Sequence, residues 1–570
     1  MAIDVTVKIG GEAGQGIQTV GELLARVCHG CGLYLHGIND FESRIRGGHS
    51  FMQLRISDKP VQAPDHRVHL LVALNERTLD IHRSELADGG LVLLDSESGK
   101  SDPSVLGVPV TKLARDAGAA IMANTVAAGA CLALLGAPAE SIKAVLEKYF
   151  QDKKTSVFES NLKAAKSGAK AVEDIKFDWA FKWPDTGPAG KLLTGARMLA
   201  LGSLAADCRF AGFYPMSPAT GIMANLAEFE DRLPLVVEQA EDEIAAVNMA
   251  IGASFAGVRA ITATSGGGFA LMTEGLGLAG ITETPLVVID SQRPGPATGL
   301  PARTAQADLR FVLHAAQDEF PRFVFAPDSL DSAFEIMIRA FDLADRYQVP
   351  VIVLTDQYFN DSMAIAQKSL AVPSLIERFI VDDSEMDDPA QYRRFAFTET
   401  GVSPRALPCE GSALVMVSGN EHQEDGHISE KISDRIGQMN KRHRKLSDME
   451  KQIRPPWTHH PDSSILLVGW GSTAGAIKES AELLRAEGID AGAVCFTDIW
   501  PFPAKKAGNI LDKCSRFYMV EQNFSAQLGW LIAEKTGRKF HQAIVKYDGR
   551  PFFPDEIVRR VKAFEEGADG

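Results

Sequence analysis

Short apolar runs that alternate with helix-like stretches constrain the folding of this chain most. Between residues 195 and 362, the runs Leu235 to Glu238, Ala260 to Thr264, Leu286 to Asp290 and Val349 to Thr355 are separated by segments of helical periodicity. Strands that read as continuous apolar runs are buried on both faces. Their alternation with helices predicts a parallel sheet with helices on either side. The same alternation recurs at both ends of the chain. An alternating strand, Ile3 to Ile9, precedes Gly10-Gly11-Glu12-Ala13-Gly14-Gln15-Gly16 and an amphipathic helix over Thr19 to Cys31, with further strands at His69 to Ala73 and Leu91 to Asp95. Strands Ile465 to Gly469, Ala491 to Cys495 and Phe517 to Glu521, with a helix from Ser472, are expected near the C-terminus. The fold class is therefore multidomain α/β. The expected division is an α/β unit over 1–185, a second over 195–362, a polar intervening segment over 363–460 and a last α/β unit over 461–570. Lys182 to Pro188, rich in Pro and Gly, reads as a linker.

A net charge of −15 argues against a nucleic-acid partner. The dense basic cluster Lys441-Arg442-His443-Arg444-Lys445 is expected on a solvated or interface face. No run approaches the roughly 18 to 20 apolar residues of a membrane helix. The opening strand shows no signal peptide, so a cytoplasmic location is expected. The seven cysteines are widely spaced, as suits reduced thiols, and contain no four-cysteine run of the iron–sulfur type. Cys28 and Cys31 form a lone CxxC within helix-like sequence, which argues against a metal site.

Several segments carry residues suited to chemistry. The glycines Gly11, Gly14 and Gly16, with Gln15, lie between a strand and a helix, where backbone N–H groups and the helix dipole favour an anion. Their spacing departs from the dinucleotide fingerprint, so a phosphate-bearing ligand such as CoA, or close chain packing, fits better than NAD. Ser43-Arg44-Ile45-Arg46-Gly47-Gly48-His49 sets two arginines beside a Gly-Gly turn, suited to a carboxylate or phosphate but equally to a surface loop. Tyr214-Pro215-Met216-Ser217-Pro218 is placed at a strand's end, where open parallel sheets bind ligands. Glu241-Asp242-Glu243 opens a helix with the apolar stripe Ile244, Val247, Ile251 and Phe255. Glu243 lies one turn before Val247 and is expected to point inward, while Glu241 and Asp242 cap the helix, although acids at a helix start are commonly dipole complement alone. Thr262 to Gly268 closes a strand with a glycine turn. The Gly/Pro-rich stretch Ser291 to Thr304, carrying Arg293, Thr298 and Arg303, reads as an active-site loop.

Taken in this order, these segments resemble the 2-oxoacid:ferredoxin oxidoreductase family over nearly the whole chain, in the form whose gamma domain is fused ahead of the alpha subunit. Tyr214 to Ala219, Glu241 to Gly257, Thr262 to Gly268 and Gln292 to Thr304 carry most of the likeness. The first unit looks like a Rossmann-like gamma domain, the second like a thiamine pyrimidine-binding domain. The last, with Val468 to Ser472 and Val520 to Asn523, looks like a transketolase C-terminal-type domain. The resemblance implies thiamine diphosphate, CoA, an iron–sulfur cluster and ferredoxin as electron acceptor. It implies Glu243 as the partner of the thiamine pyrimidine ring, with Glu241 as rival. Ser217, where the family more often has Thr, and Arg303 would meet the substrate carboxylate, and Tyr214, Arg293, Ser43, Arg46 and His49 would line the substrate site. A second cation at Arg46 favours a dicarboxylic acid, hence 2-oxoglutarate over pyruvate. Gly11, Gly14, Gln15, Gly16 and Thr298 would contact cofactors.

The Gly-Asp-Gly segment that holds diphosphate and Mg2+ is missing, as are the cysteines of a [4Fe-4S] cluster. Both are expected on a beta subunit, in a dimer of heterodimers. A non-oxidative thiamine decarboxylase or transketolase-like subunit, a noncatalytic CoA-binding scaffold and an NAD dehydrogenase are the competing readings.

Overall fold

The computed structural model describes residues 3–42, 47–96 and 105–567. Two compact units emerge. The first comprises residues 1–193, 362–369 and 553–555, the second 194–361, 370–552 and 556–570.

The first unit is built on an eight-stranded mixed sheet in the order Val105–Val108, Leu86–Asp95, Val68–Ala73, Asp4–Ala13, Gly47–Ser57, Tyr34–Asp40, Met363–Ala366, Lys191–Thr194. Its core gathers Val7, Ile9, Val20, Leu23 and Leu24 with Leu70, Val126 and Leu146. Each such buried aliphatic stabilises the fold by about 1.5–3 kcal/mol relative to exposure. The opening strand is longer than its apolar pattern suggests. It runs through Gly10 and Gly11 to Ala13, because Gly10 and Gly11 pair with Phe51 and Ser50 across the sheet. The following helix, Ile17–Gly30, starts two residues before the expected Thr19.

The second unit holds two sheets. The larger runs Asp498–Trp500, Phe323–Phe325, Pro350–Asp356, Leu286–Gln292, Arg259–Thr264, Cys208–Phe213, Val236–Gln239, parallel except for its first strand. The smaller runs Trp457–His459, Ala491–Phe496, Ile465–Trp470, Arg516–Glu521, Gln542–Val545, again parallel beyond its first strand. One apolar cluster spans both, joining Val288, Ile352 and Leu276 to Leu466, Val494 and Ile532. Local chemistry sets the helix starts. Asp242 caps Glu243–Phe255 by accepting from the Ala245 N–H at 2.8 Å, and Ser329 with Ser332 forms a capping box before Leu330–Tyr347.

The basic cluster departs from expectation. Lys441, Arg442 and Lys445 are buried, on or beside the helix Ile432–Arg444. Lys441 and Lys445 each donate to Glu283 at 2.5 Å, and Arg442 binds Glu421 at 2.8 Å. Acids far off in sequence lie within reach, so charges expected to be hydrated are instead internal ion pairs that lock residues 421–445 against the larger sheet's helices. His422, next to Glu421, packs against Phe395 with ring centroids 3.8 Å apart and planes tilted by 36°.

Candidate functional site

In the second unit the functional segments gather at the carboxyl ends of the larger sheet's parallel strands, where open α/β sheets leave a ligand crevice. The strand Cys208–Phe213 leads into Tyr214–Ala219, Val236–Gln239 into Glu243, Arg259–Thr264 into Gly266–Gly268, and Leu286–Gln292 into the irregular loop 293–308.

Glu243 is 2 % exposed, whereas Glu241 is exposed. Asp242 takes the capping role alone, and the helix buries Glu243, Ala246, Val247, Ala250, Ile251 and Ser254. That stripe carries Glu243 inward on the face of Val247, one turn away. Ile244, expected in the stripe, is 49 % exposed, because it sits about 100° around the helix from Glu243. Among the described residues, the carboxylate's one hydrogen-bonding contact is Thr264 Oγ1, at 3.5 Å. Gly268 makes room for it: a Cβ there would lie 2.3 Å from Glu243 Oε1 and 2.0 Å from Thr264 Oγ1. The helix Gly266–Ile281 thus accepts three glycines in its first turn, each costing about 1 kcal/mol in helix propensity. Two of these, Gly266 and Gly268, sit against carboxylates.

Arg293 is half-buried and donates to the Ser217 carbonyl at 2.7 Å, tying the loop to the Tyr214–Ala219 turn. Burial pulls its guanidinium down, and the Glu243 charge opposes that pull. The Ser217 side chain is exposed and Tyr214 half-buried. Asn360 braces the same turn through the Pro218 carbonyl at 3.3 Å and Ser291 Oγ at 2.8 Å. Farther along the loop, Thr298 is exposed and Arg303 half-buried. The Arg303 side chain packs on Gly549, and the Thr304 N–H donates to the Gly549 carbonyl at 3.2 Å.

Three carboxylates here escaped the sequence reading. Asp290 is fully buried, and neither of its oxygens has a hydrogen-bond partner among the described residues. Burial and the Asp308 charge hold it well above the ordinary carboxylate range. Asp308, raised by its own burial, lies against Gly266. Asp356 is pushed up to about 6 by burial while accepting from Ser472. A signal existed. Asp290 follows Leu286-Val287-Val288-Ile289 and Asp356 follows Val351-Ile352-Val353-Leu354-Thr355, each an acid directly after an apolar run.

In the first unit, Gly14-Gln15-Gly16 forms the turn before the helix. Gly16 caps it in the left-handed conformation (φ 82°), and a Cβ there would lie 1.8 Å from the Asn124 amide. Gln15 Oε1 accepts from the Glu12 N–H at 2.6 Å and from Asn75 at 2.9 Å. Gly14 and Gln15 line a cleft of about 280 Å³ with Asp95, Thr111 and Asn124. Gly11, inside the strand, packs against Gln15. His49 is buried, its Nε2 2.7 Å from His82 Nε2, and His82 Nδ1 lies 2.9 Å from Glu85, which also binds Lys8. Burial and His82 push His49 down to about 4. Ser43 and Arg46 lie outside the described residues. Cys28 is buried in its helix, and burial pushes its thiol upward.

The donor set around Glu243 fits a thiamine pyrimidine ring. A buried acid with one long hydrogen-bonding contact among the described residues has acceptor capacity left for a ring nitrogen. Residues 201–441 match the family described as pyruvate flavodoxin/ferredoxin oxidoreductase, thiamine diphosphate-binding. Residues 6–171 match pyruvate ferredoxin/flavodoxin oxidoreductase, and 463–557 match pyruvate:ferredoxin oxidoreductase core domain II. A 2-oxoacid:ferredoxin oxidoreductase subunit alpha of Sulfolobus sp is 31% identical, over 98% of this chain and 97% of its own. The 2-oxoglutarate oxidoreductase subunit KorA of Mycobacterium tuberculosis is 29% identical over 98% and 91%. The structure of the 2-oxoglutarate:ferredoxin oxidoreductase from Magnetococcus marinus, with 2-oxoglutarate, coenzyme A and succinyl-CoA bound, superposes with a TM-score of 0.90 at 28% identity, covering 98% of this chain and 99% of that one. No helix among the described residues is long and apolar enough to cross a membrane. With its three segments matched in order and 98% of its length shared at 31% identity, this chain belongs to the 2-oxoacid:ferredoxin oxidoreductases, thiamine diphosphate enzymes, as an alpha-type chain.

Proposed function

We propose that this chain is the alpha subunit, with a fused gamma domain, of a CoA-dependent 2-oxoglutarate:ferredoxin oxidoreductase. The reaction decarboxylates 2-oxoglutarate, passes its two electrons to ferredoxin and its acyl group to CoA, yielding succinyl-CoA and CO2. The observation that carries the reading is Glu243: a buried carboxylate with one hydrogen-bonding contact among the described residues, 3.5 Å long, at a strand end of the thiamine-binding fold. Thiamine diphosphate, when bound, supplies the carbon nucleophile and the electron sink.

This chain's residues do the positioning. Glu243 holds a proton at the pyrimidine N1′. Arg303 pairs with the substrate's 1-carboxylate, suited to a planar two-point contact. The Ser217 hydroxyl donates to the same end, on a turn that Arg293 braces through the Ser217 carbonyl. By the family resemblance, Arg46 is assigned as a second cation for the distal carboxylate of a dicarboxylic acid, and Ser43, His49 and Tyr214 are assigned to substrate binding. Gly14, Gln15 and Gly16 take a phosphate of CoA at the helix start, and Thr298 contributes from the loop. A beta subunit brings the diphosphate site with Mg2+ and the [4Fe-4S] cluster, in a cytoplasmic dimer of heterodimers. The relatives named for 2-oxoglutarate support the choice of substrate.

The test is anaerobic dye reduction by the chain with its partner, comparing 2-oxoglutarate with pyruvate in wild type and Glu243→Gln. CoA-dependent 2-oxoglutarate activity lost in the variant supports both reaction and residue. Pyruvate activity above 2-oxoglutarate activity overturns the substrate, and activity that survives the substitution overturns the role of Glu243.

A further inference from the structure

The segment entering the smaller sheet of the second unit carries a cluster that none of this chemistry uses. His459 ends the edge strand Trp457–His459, and His460 follows it. Successive side chains of a strand point to opposite faces, so adjacent histidines ought to diverge. His460 instead adopts φ 50°, a left-handed conformation that residues bearing a Cβ seldom take. The bend brings the two imidazoles together, with ring centroids 4.1 Å apart. Both Nε2 atoms converge on one oxygen, Glu482 Oε1, His459 in a short contact and His460 at 3.2 Å. Glu482 belongs to the helix Ala474–Ala486. Gly492 accommodates the bend, since a Cβ there would lie 2.1 Å from the His460 carbonyl oxygen. Trp457 stacks on the His459 ring at 5° and 6.0 Å, and the Lys478 ammonium sits over the Trp457 face at 5.7 Å.

Three donor atoms, two imidazole nitrogens and a carboxylate oxygen, lie within 4.8 Å of one another. Such a set suits Zn2+ or Ni2+, which favour imidazole, rather than Mg2+ or Ca2+, which favour oxygen alone. Without an ion the two rings compete for one acceptor, and their hydrogen bonds, His459 first, hold the Glu482 carboxyl below its usual range. The side chains are 27%, 39% and 53% exposed, so an ion reaches them from solvent and water completes its coordination.

We propose that His459, His460 and Glu482 form a binding site for a zinc-class divalent cation, which staples the edge strand Trp457–His459 to the helix Ala474–Ala486. The site is independent of the thiamine reading. Titration calorimetry of Zn2+ into the intact complex of this chain and its partner tests it, using wild type, His460→Ala and Glu482→Gln. Retained CoA-dependent activity in the variants reports that they fold. Wild type is expected to take up one more Zn2+ per chain than either variant and to unfold at a higher temperature with Zn2+ present. Ni2+ is expected to quench tryptophan fluorescence by an increment that Trp457→Phe removes. Equal Zn2+ uptake in wild type and both variants overturns the site. So does uptake that survives in the variants but disappears with Cys409→Ser, which would assign the ion to that exposed thiol.

Discussion

Glu243 and Glu283 belong to the same sheet-and-helix layer and are 2 % and 1 % exposed, yet their surroundings are opposite. Glu283 receives Lys441 on one oxygen and Lys445 on the other, each at 2.5 Å. Although burial raises its pKa, Lys441, Lys445 and Arg394 together hold it far below the usual range. Burial in turn pushes Lys441 down to about 8 despite Glu283. The two sides of the cluster thus point in opposite directions, one gaining from the pairing and the other bearing its desolvation. Its net worth is small while its disruption is expensive. Glu243 has Thr264 at 3.5 Å and a glycine in place of a side chain. Burial alone therefore does not mark a functional acid. What separates Glu243 from Glu283 is that the protein leaves its hydrogen-bonding capacity largely unspent.

Substitution at the two glutamates separates activity from stability. Glu243→Gln should reduce turnover by about 10²–10⁴-fold, the range for loss of a positioned acid–base group, with its unfolding midpoint close to wild type. A comparable loss of stability would place Glu243 with the structural acids. Glu283→Gln leaves two buried ammonium groups facing a neutral amide and should lower the unfolding free energy by about 3–5 kcal/mol. Denaturant titration and protease cleavage within 370–460 would report it, while the folded fraction keeps its turnover number. Wild-type stability in that titration would mean that water hydrates the lysines.

Crowding the pocket sharpens the contrast further. Gly268→Ala places a methyl group on Glu243 and Thr264, an overpacking of about 1–3 kcal/mol. It is expected to weaken thiamine diphosphate binding by tenfold or more in an equilibrium titration, and unchanged affinity would mean the first turn relaxes. Asp290→Asn should have the smallest effect and the opposite sign. The raised folded-state pKa of Asp290 means that its contribution to stability is present below the ordinary value of 3.8 and is lost as pH rises towards the folded-state value. At neutral pH the variant should gain about 1–3 kcal/mol, from relief of an unpaired buried acid, and its stability should vary less above pH 3.8. A loss of stability instead would reveal a bound cation or water on those oxygens.

The positions of most segments were legible because strand ends and glycine turns are local signals. The run Leu286-Val287-Val288-Ile289 reads as a buried strand, and the Gly/Pro-rich stretch after it stays irregular through residue 308. Gly10 and Gly11 read as a turn because glycine lowers strand propensity. Cross-strand pairing to Phe51 and Ser50 overrode that preference. Ile244 read as core because it is apolar at nearly helical spacing, but the buried stripe is set by the polar Glu243 in register with Val247. The cluster from Lys441 to Lys445 was misread for a related reason. Charge patterning carries no information about an acid some 160 residues away.

From the sequence alone came the α/β class and the order of the segments, because periodicity and spacing are properties of neighbouring residues, and with them the family resemblance carried by Tyr214 to Ala219, Glu241 to Gly257, Thr262 to Gly268 and Gln292 to Thr304. The tertiary structure decided which of two buried glutamates is spent on lysines, and that His459 and His460 meet on Glu482. Each of these depends on groups far apart in the chain. Desolvation and pairing act through space, and no local pattern records which partner will be there.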